Sequence, residues 1–192
     1  MLIAFEGGEG CGKSTQARVL AQRLDAVLTF EPGATPLGAE LRALLLDGSD
    51  MSSRTEALLM AADRAVHVDE VIAPALAIGQ TVVTDRYLYS SLAYQGFGRG
   101  LDVDEVRTLS SFAAAPEADI VLLLVVPGYV RRERLGGRLD RIESGDEGFH
   151  ERVEAGFLEL ARLDPERWIV IDAVGSADDV GELIWSAVKD RL

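Results

Sequence analysis

Cysteine is almost missing from this chain: Cys11 is the single one, so no intrachain disulfide can form and a reducing compartment is expected. Aromatic residues make up only 6%. Histidine occurs twice, as His67 and His150, with no ligand-type partners at metal-binding spacing, so both are expected at the surface or a helix edge. No apolar run approaches a membrane span; the longest, Ile120 to Val126, is strand-sized. Positive charge is in deficit, with a net charge of −13 that opposes long polyanions and argues against a nucleic-acid partner. A small anionic ligand remains compatible, because a few fixed donors can hold a phosphate locally. Met1 to Phe5 carry no basic region or cleavage site and do not read as a signal peptide. These absences predict a cytoplasmic protein without a membrane partner.

What is present is enough for a full core: 192 residues, 48% of them hydrophobic. One compact domain over residues 1–192 is expected, with a small movable part. Buried strands are predicted at Leu2 to Phe5, Thr81 to Thr84, Ile120 to Val126 and Trp168 to Ile171, with a weaker one at Val27 to Phe30. Ala17, Leu20, Ala21 and Leu24 share one helical face, and Leu58, Ala62, Ala65, Ile72 and Leu76 share that of a longer helix. Asp102 with Glu105 and Ser176 with Asp179 open two more helices as capping boxes. Strands alternating with helices imply an α/β fold of three layers on a parallel sheet.

Gly7-Gly8-Glu9-Gly10-Cys11-Gly12-Lys13-Ser14, followed by Thr15, fits G-x-x-x-x-G-K-[ST] between a predicted strand and a predicted helix. Glycines there let successive N–H groups turn toward phosphate oxygens. The helix start adds partial positive charge. Lys13 is expected on the β- and γ-phosphates and Ser14 on Mg²⁺. Only two of nineteen basic residues are lysines, so a chain that otherwise uses arginine keeps a compact ammonium at this position. Cys11 reads as a small residue between glycines, with a redox or nucleophilic role as the other reading. Asp85-Arg86-Tyr87 follows a strand at the carboxyl end, where α/β sheets bind ligands. Asp85 is placed for Mg²⁺ or to orient Arg86, and Arg86 for an acceptor phosphate; a structural salt bridge fits the pair as well. Arg131, Arg132, Arg134, Arg138 and Arg141 crowd one segment, either as a solvated helix face or, with Gly136-Gly137 as hinge, as a lid over residues 131–148. No Asn-Lys-x-Asp guanine motif occurs. A small-molecule kinase and a nucleotide-binding switch module both remain open at this point.

Five ordered segments carry a resemblance. They are Phe5 to Thr15, Glu31-Pro32-Gly33-Ala34-Thr35, Glu56 to Arg64, Asp85-Arg86-Tyr87 continuing through Ser90 to Gly96 and Gly98-Arg99-Gly100, and Leu139 to Glu143. Together they resemble the thymidylate kinase family, the bacterial type with arginines in the lid, over nearly the whole chain. The resemblance implies a P-loop NTPase-type three-layer sandwich with a parallel five-stranded sheet and a nucleoside monophosphate kinase activity. It implies ATP as donor with Mg²⁺, dTMP as acceptor on the way to dTTP, and a homodimer through helices flanking the sheet. Glu9 would face the acceptor sugar or metal-bound water. Arg86 would bind the acceptor phosphate, and Arg64 and Met60 would meet the base. Ser91 and Gln95 would hydrogen-bond the base with Ser90 beside them, and Tyr94 would crowd the sugar 2′ position. Phe30 stands where relatives often have an arginine for the acceptor phosphate, which leaves that role to Arg86 with help from Arg42. Gly10 is no arginine either, so Arg134, Arg132 and then Arg138 would supply the catalytic positive charge. A kinase for another nucleoside monophosphate or small metabolite, or a catalytically silent nucleotide-binding module, stands as the alternative.

Overall fold

The structure, a computed structural model, describes residues 1–48, 50–135 and 147–192. Five strands, β1 (Leu2–Glu6), β2 (Val27–Phe30), β3 (Val82–Asp85), β4 (Ile120–Val125) and β5 (Trp168–Asp172), form one sheet in the order β2-β3-β1-β4-β5. Every neighbouring pair is parallel. The expected α/β sheet is therefore present.

Alternation along the strands explains the layers. Leu2, Ala4, Val121 and Leu123 face one core, and Ile3, Phe5, Leu122 and Leu124 face the other. The second core is closed by α1 (Lys13–Leu24) and α9 (Ala177–Val188), whose Ala17, Leu20, Val180 and Ile184 are buried in it. The first core is closed by α5 (Leu88–Ser91), α6 (Val103–Phe112) and α8 (Glu147–Leu163). The remaining helices among the described residues are α2 (Pro36–Asp47), α3 (Ser53–His67), α4 (Ala73–Ala77) and α7 (Gly128–Leu135). Strand β2 is the weak one because it is an edge strand, with Leu28 and Phe30 exposed.

The long helix expected through Leu58 to Leu76 is interrupted. Pro74 has no N–H to offer the carbonyl four residues back. Just ahead of it, residues Val68–Ile72 open into a wider turn in which Ala73 N–H reaches Val68 O. Leu58 is 56% exposed, not buried. The buried face of α3 carries Glu56, Ala57, Asp63, Arg64 and His67 instead. Within α3 apolar periodicity pointed to the wrong side, because the buried side carries charges that pair with groups on other elements; beyond α3, Ile72 is buried and Leu76 packs on the core as expected.

A second wide turn, Leu92–Gly98, continues α5 and packs against α8. A Cβ on Gly156 of α8 would lie 2.7 Å from Phe97 Cγ and Cδ2 and 2.8 Å from Phe97 Cβ. Gly156→Ala should thus destabilise the fold by about 1–3 kcal/mol, although alanine gains about 1 kcal/mol within an exposed helix. A thermal or urea melt checks it; an unchanged or raised midpoint would contradict the packing.

Candidate active site

Strand β1 runs into the glycine loop, and the loop runs into α1. Gly7, Gly10 and Gly12 have φ of 137°, 68° and 96°, which L side chains rarely adopt. At Gly7 a Cβ would also lie 2.4 Å from Leu124 O, so β4 presses the loop from behind. Lys13 is buried, its Nζ donating to Gly8 O at 2.7 Å and lying 3.6 Å from Cys11 Sγ. Gly12 caps α1 without a side chain, and the first turn carries no acidic residue of its own, an arrangement that favours an anion. Cys11 is buried against the loop. Ser14 and Thr15 are exposed on the rim of the adjoining cleft.

Asp85 ends β3 across from this loop. Ser14 Oγ hydrogen-bonds Asp85 Oδ2, while Asp85 Oδ1 is buried without a partner among the described residues. Among those residues no group of three or more His, Cys, Asp or Glu side chains could hold a metal ion by itself.

Arg86 follows with φ of 69°, a left-handed backbone that is strained for arginine. The strain is held by Thr84 Oγ1, which donates to Arg86 O at 2.7 Å, and by Arg86 N–H, which donates to Phe5 O at 2.9 Å. This conformation turns the side chain back over the glycine loop. Nη1 donates to Gly7 O at 3.2 Å and Ser90 Oγ at 3.0 Å. Nη2 pairs with Glu9 and donates to Tyr94 Oη at 3.1 Å. Burial alone would lower the Arg86 pKa, but Glu9 foremost raises it well above its ordinary value, so the group stays charged.

Two cavities meet at this arginine. One holds Met60, Arg64, Ser90, Ser91, Tyr94 and Gln95 along its wall. The other is a cleft lined by Lys13, Ser14, Thr15, Asp85 and Arg134. Glu9, Glu31, Arg42 and Arg86 border both. Phe30 lies on the cleft side, 43% exposed on the edge strand and in register with Asp85, not in the Met60 cavity. Arg42 Nη1 donates to Pro32 O at 2.7 Å.

Of the arginine cluster, Arg134 reaches the glycine loop, with Nη1 3.4 Å from Gly10 O and Nη2 3.2 Å from Ala173 O. Arg132 is exposed, and Arg131 pairs with Glu154 of α8. Arg138, Arg141, Gly136-Gly137 and most of the expected lid lie outside the described residues. Beside Arg134, a crevice between Cys11, Gly12, Thr15 and the Ala173 to Ala177 turn adjoins the loop. It rests on the β5–α9 connection, whose one sequence signal, the Ser176–Asp179 capping box, marks a helix start and not a ligand site.

With this geometry established, comparison with known proteins is specific. The thymidylate kinase family profile matches residues 5–184. The chain is 48% identical over 200 residues to a thymidylate kinase of Synechococcus sp. (strain JA-3-3Ab), covering 100% of this chain and 97% of that one. It is 47% identical over 202 residues to one of Leifsonia xyli subsp. xyli, covering 100% and 96%. The crystal structure of thymidylate kinase from Ehrlichia chaffeensis superposes with a TM-score of 0.82 at 30% identity, over 98% of each chain. The chain belongs to the thymidylate kinase family.

Within this family site, the buried polar face of α3 is a feature that sequence reading missed. His67 is fully buried, not at a surface; its ring nitrogens contact Thr29 Oγ1 at 2.6 Å and Glu31 Oε1 at 2.9 Å. Arg64 binds Glu31 Oε2 through Nε at 2.9 Å, Ser110 through Nη1 at 3.1 Å and Ser91 through Nη2 at 3.0 Å. Most of its donors are therefore engaged by protein groups before any ligand arrives. Glu56, Asp63, Arg64 and His67 recur at helical spacing, and that charged stripe was the available signal. It was indistinguishable from a solvated face. His150, by contrast, is half-buried beside Phe149.

Asp63 accepts from Gly33 N–H at 2.9 Å, and burial first, then the nearby Glu31 charge, raises its pKa from 3.8 to about 6. The folded state holds this proton more tightly than the unfolded chain does. The resulting stability is complete below 3.8 and is lost as pH rises through about 6. Asp63→Asn keeps an acceptor for Gly33 and removes the charge. Its Tm relative to the parent should thus be higher at about pH 7.5 than at about pH 5, by on the order of 4 °C. A Tm difference independent of pH would refute the assignment.

Proposed function

We propose that this chain transfers the γ-phosphoryl group of ATP to dTMP, giving ADP and dTDP for dTTP synthesis, by direct in-line displacement without a covalent enzyme intermediate. The observation that carries the reading is the meeting of the glycine-loop cleft and the Met60 cavity at Glu9 and Arg86. A donor on one side and an acceptor on the other would bring reacting oxygens together at a fixed cation.

Residues 7–15 would hold the triphosphate, with Lys13 on the β- and γ-phosphates and the donor base in the crevice beside Arg134. Arg86 would take the acceptor phosphate and neutralise charge as it spreads over the moving group. Arg134, with Arg132, would add positive charge from the donor side, in a lid over about 131–148 of a single domain, residues 1–192. Glu9, already paired with Arg86 and Tyr94, would face the acceptor sugar; Tyr94 would crowd its 2′ position. Ser14 and Asp85 would hold Mg²⁺, the hard cation that neutralises phosphate charge when bound. The donor set fits, because the Ser14 hydroxyl bonds one oxygen of Asp85, Oδ2, while the other, Oδ1, is buried without a partner among the described residues.

The base side supports thymine in particular. Gln95 Nε2 donates to Glu56 Oε1 at 3.0 Å, and a carboxylate can only accept, so the amide cannot be flipped. Among the described residues Gln95 Oε1 is then left buried and unpartnered beside the cavity. A carbonyl there suits thymine N3–H and is mismatched to cytosine N3, which is itself an acceptor. Met60 would lie against the base, with Ser91 oriented by Arg64 and Ser90 beside it; Phe30 would border the acceptor phosphate from the cleft.

A homodimer through α3 and α6 is part of this reading, supported by the outward Leu58 and the 92% exposed Phe112. Among the described residues no helix is long and apolar enough to cross a membrane. A cytoplasmic setting accords with the lone cysteine.

ADP release measured across nucleoside monophosphates should be fastest with dTMP; faster turnover of dCMP, AMP or UMP would overturn the acceptor. Lys13→Ala should lower kcat by about 10²–10³ with the fold kept, and a near-normal rate would remove Lys13 from the mechanism. Arg134→Ala should lower kcat much more than it raises KM for dTMP. A change confined to KM would place Arg134 outside the transfer step.

A further inference from the structure

Glu6 ends strand β1 with its carboxylate fully buried, and the transfer step described above does not use it. Its Oε1 accepts from Tyr87 N–H at 3.0 Å and Ser90 N–H at 3.2 Å; its Oε2 accepts from the Ser90 hydroxyl at 2.6 Å. Tyr87 precedes α5 and provides no side-chain cap of its own, so a carboxylate from another strand caps that turn.

Holding a carboxylate away from water is costly, and a neutral acceptor could satisfy two backbone donors. What the carboxylate adds is direction. It can only accept, so Ser90 must aim its one proton at Glu6 and turn its lone pairs outward. The outward partner is Arg86 Nη1 at 3.0 Å. The other arm of the guanidinium repeats this arrangement: Nη2 donates to Tyr94 Oη, and Tyr94 donates to Glu9 at 2.9 Å. Arg86 is therefore held by two hydroxyls, each polarised by a carboxylate.

We propose that Glu6 is a positioning residue that acts through Ser90 to fix the direction in which Arg86 presents its guanidinium to the acceptor phosphate. The inference rests on the role given to Arg86 above. Burial raises the Glu6 pKa to about 7 against the pull of the Ser90 hydrogen bond, of Arg86, of the Tyr87 N–H and of Lys13. These partners limit the rise, and the ionised form that orders Ser90 prevails above about pH 7.

Glu6→Gln puts an amide N–H₂ toward Ser90 and turns the Ser90 proton onto Arg86. With dTMP as acceptor, kcat should fall about 10- to 100-fold and KM should move far less. Ser90→Ala should do the same, and the double variant Glu6→Gln/Ser90→Ala should fall no further than the worse single one. Losses that multiply in the double variant would overturn the relay. ¹⁵N NMR of Arg86, assigned with Arg86→Lys, reads the same question without turnover. Distinct Nη signals in the parent should average in both Glu6→Gln and Ser90→Ala. Parent-like Arg86 signals in folded Ser90→Ala would overturn the relay even if Glu6→Gln failed to fold. A parent protein that did not phosphorylate dTMP would sink the substrate reading alone, and the NMR comparison would still decide the relay.

Discussion

The ion pair between Arg86 and Glu9 is the contact on which the rest of the site depends. It joins the end of β3 to the glycine loop after β1, and it sits where the two cavities meet. A guanidinium at that place must be compensated from several sides, because a partly desolvated charge without partners is very costly. Gly7 O, Ser90, Tyr94 and Glu9 provide the compensation, and the left-handed backbone at Arg86 makes it reachable. Strain and hydrogen bonding act together here. The loop is positioned by the same arginine that borders the Met60 cavity.

Behind this contact lies a polar interior joined by charge-assisted hydrogen bonds. Glu31 is shared by Arg64 and His67, and His67 touches Thr29 of the edge strand; Arg64 reaches Ser91 and Ser110. Glu56 binds Gln95 and Arg99. These contacts tie α3 to β2, α5 and α6 through polar groups. They also set the amide of Gln95 and the hydroxyl of Ser91 before a ligand arrives, so little ordering is left to the binding step.

Much of the fold was legible because local signals agreed. Strand runs such as 120–126 are short, β-branched and buried on both faces, so their position survived almost unchanged. The glycine loop was legible for a different reason: its chemistry requires consecutive residues, and consecutive residues are what a sequence displays. Failures came where burial and polarity parted company. Leu58 looked like core and is exposed; His67 looked like surface and is fully buried. Periodicity reports which residues share a face, but not which face is turned inward when the inner one is charged.

By itself the sequence determined the parallel α/β arrangement, the glycine loop at residues 7–14 and, through ordered motifs, the family. Those follow from hydrophobic alternation and from residues adjacent in the chain. Only the tertiary structure decided that Arg86 pairs with Glu9, that Glu6 holds Ser90, that Phe30 borders the cleft and not the Met60 cavity, and that α3 buries its charges. Each of these joins residues from separate strands and helices. Its energy depends on distance and desolvation in three dimensions, which spacing along a chain does not carry.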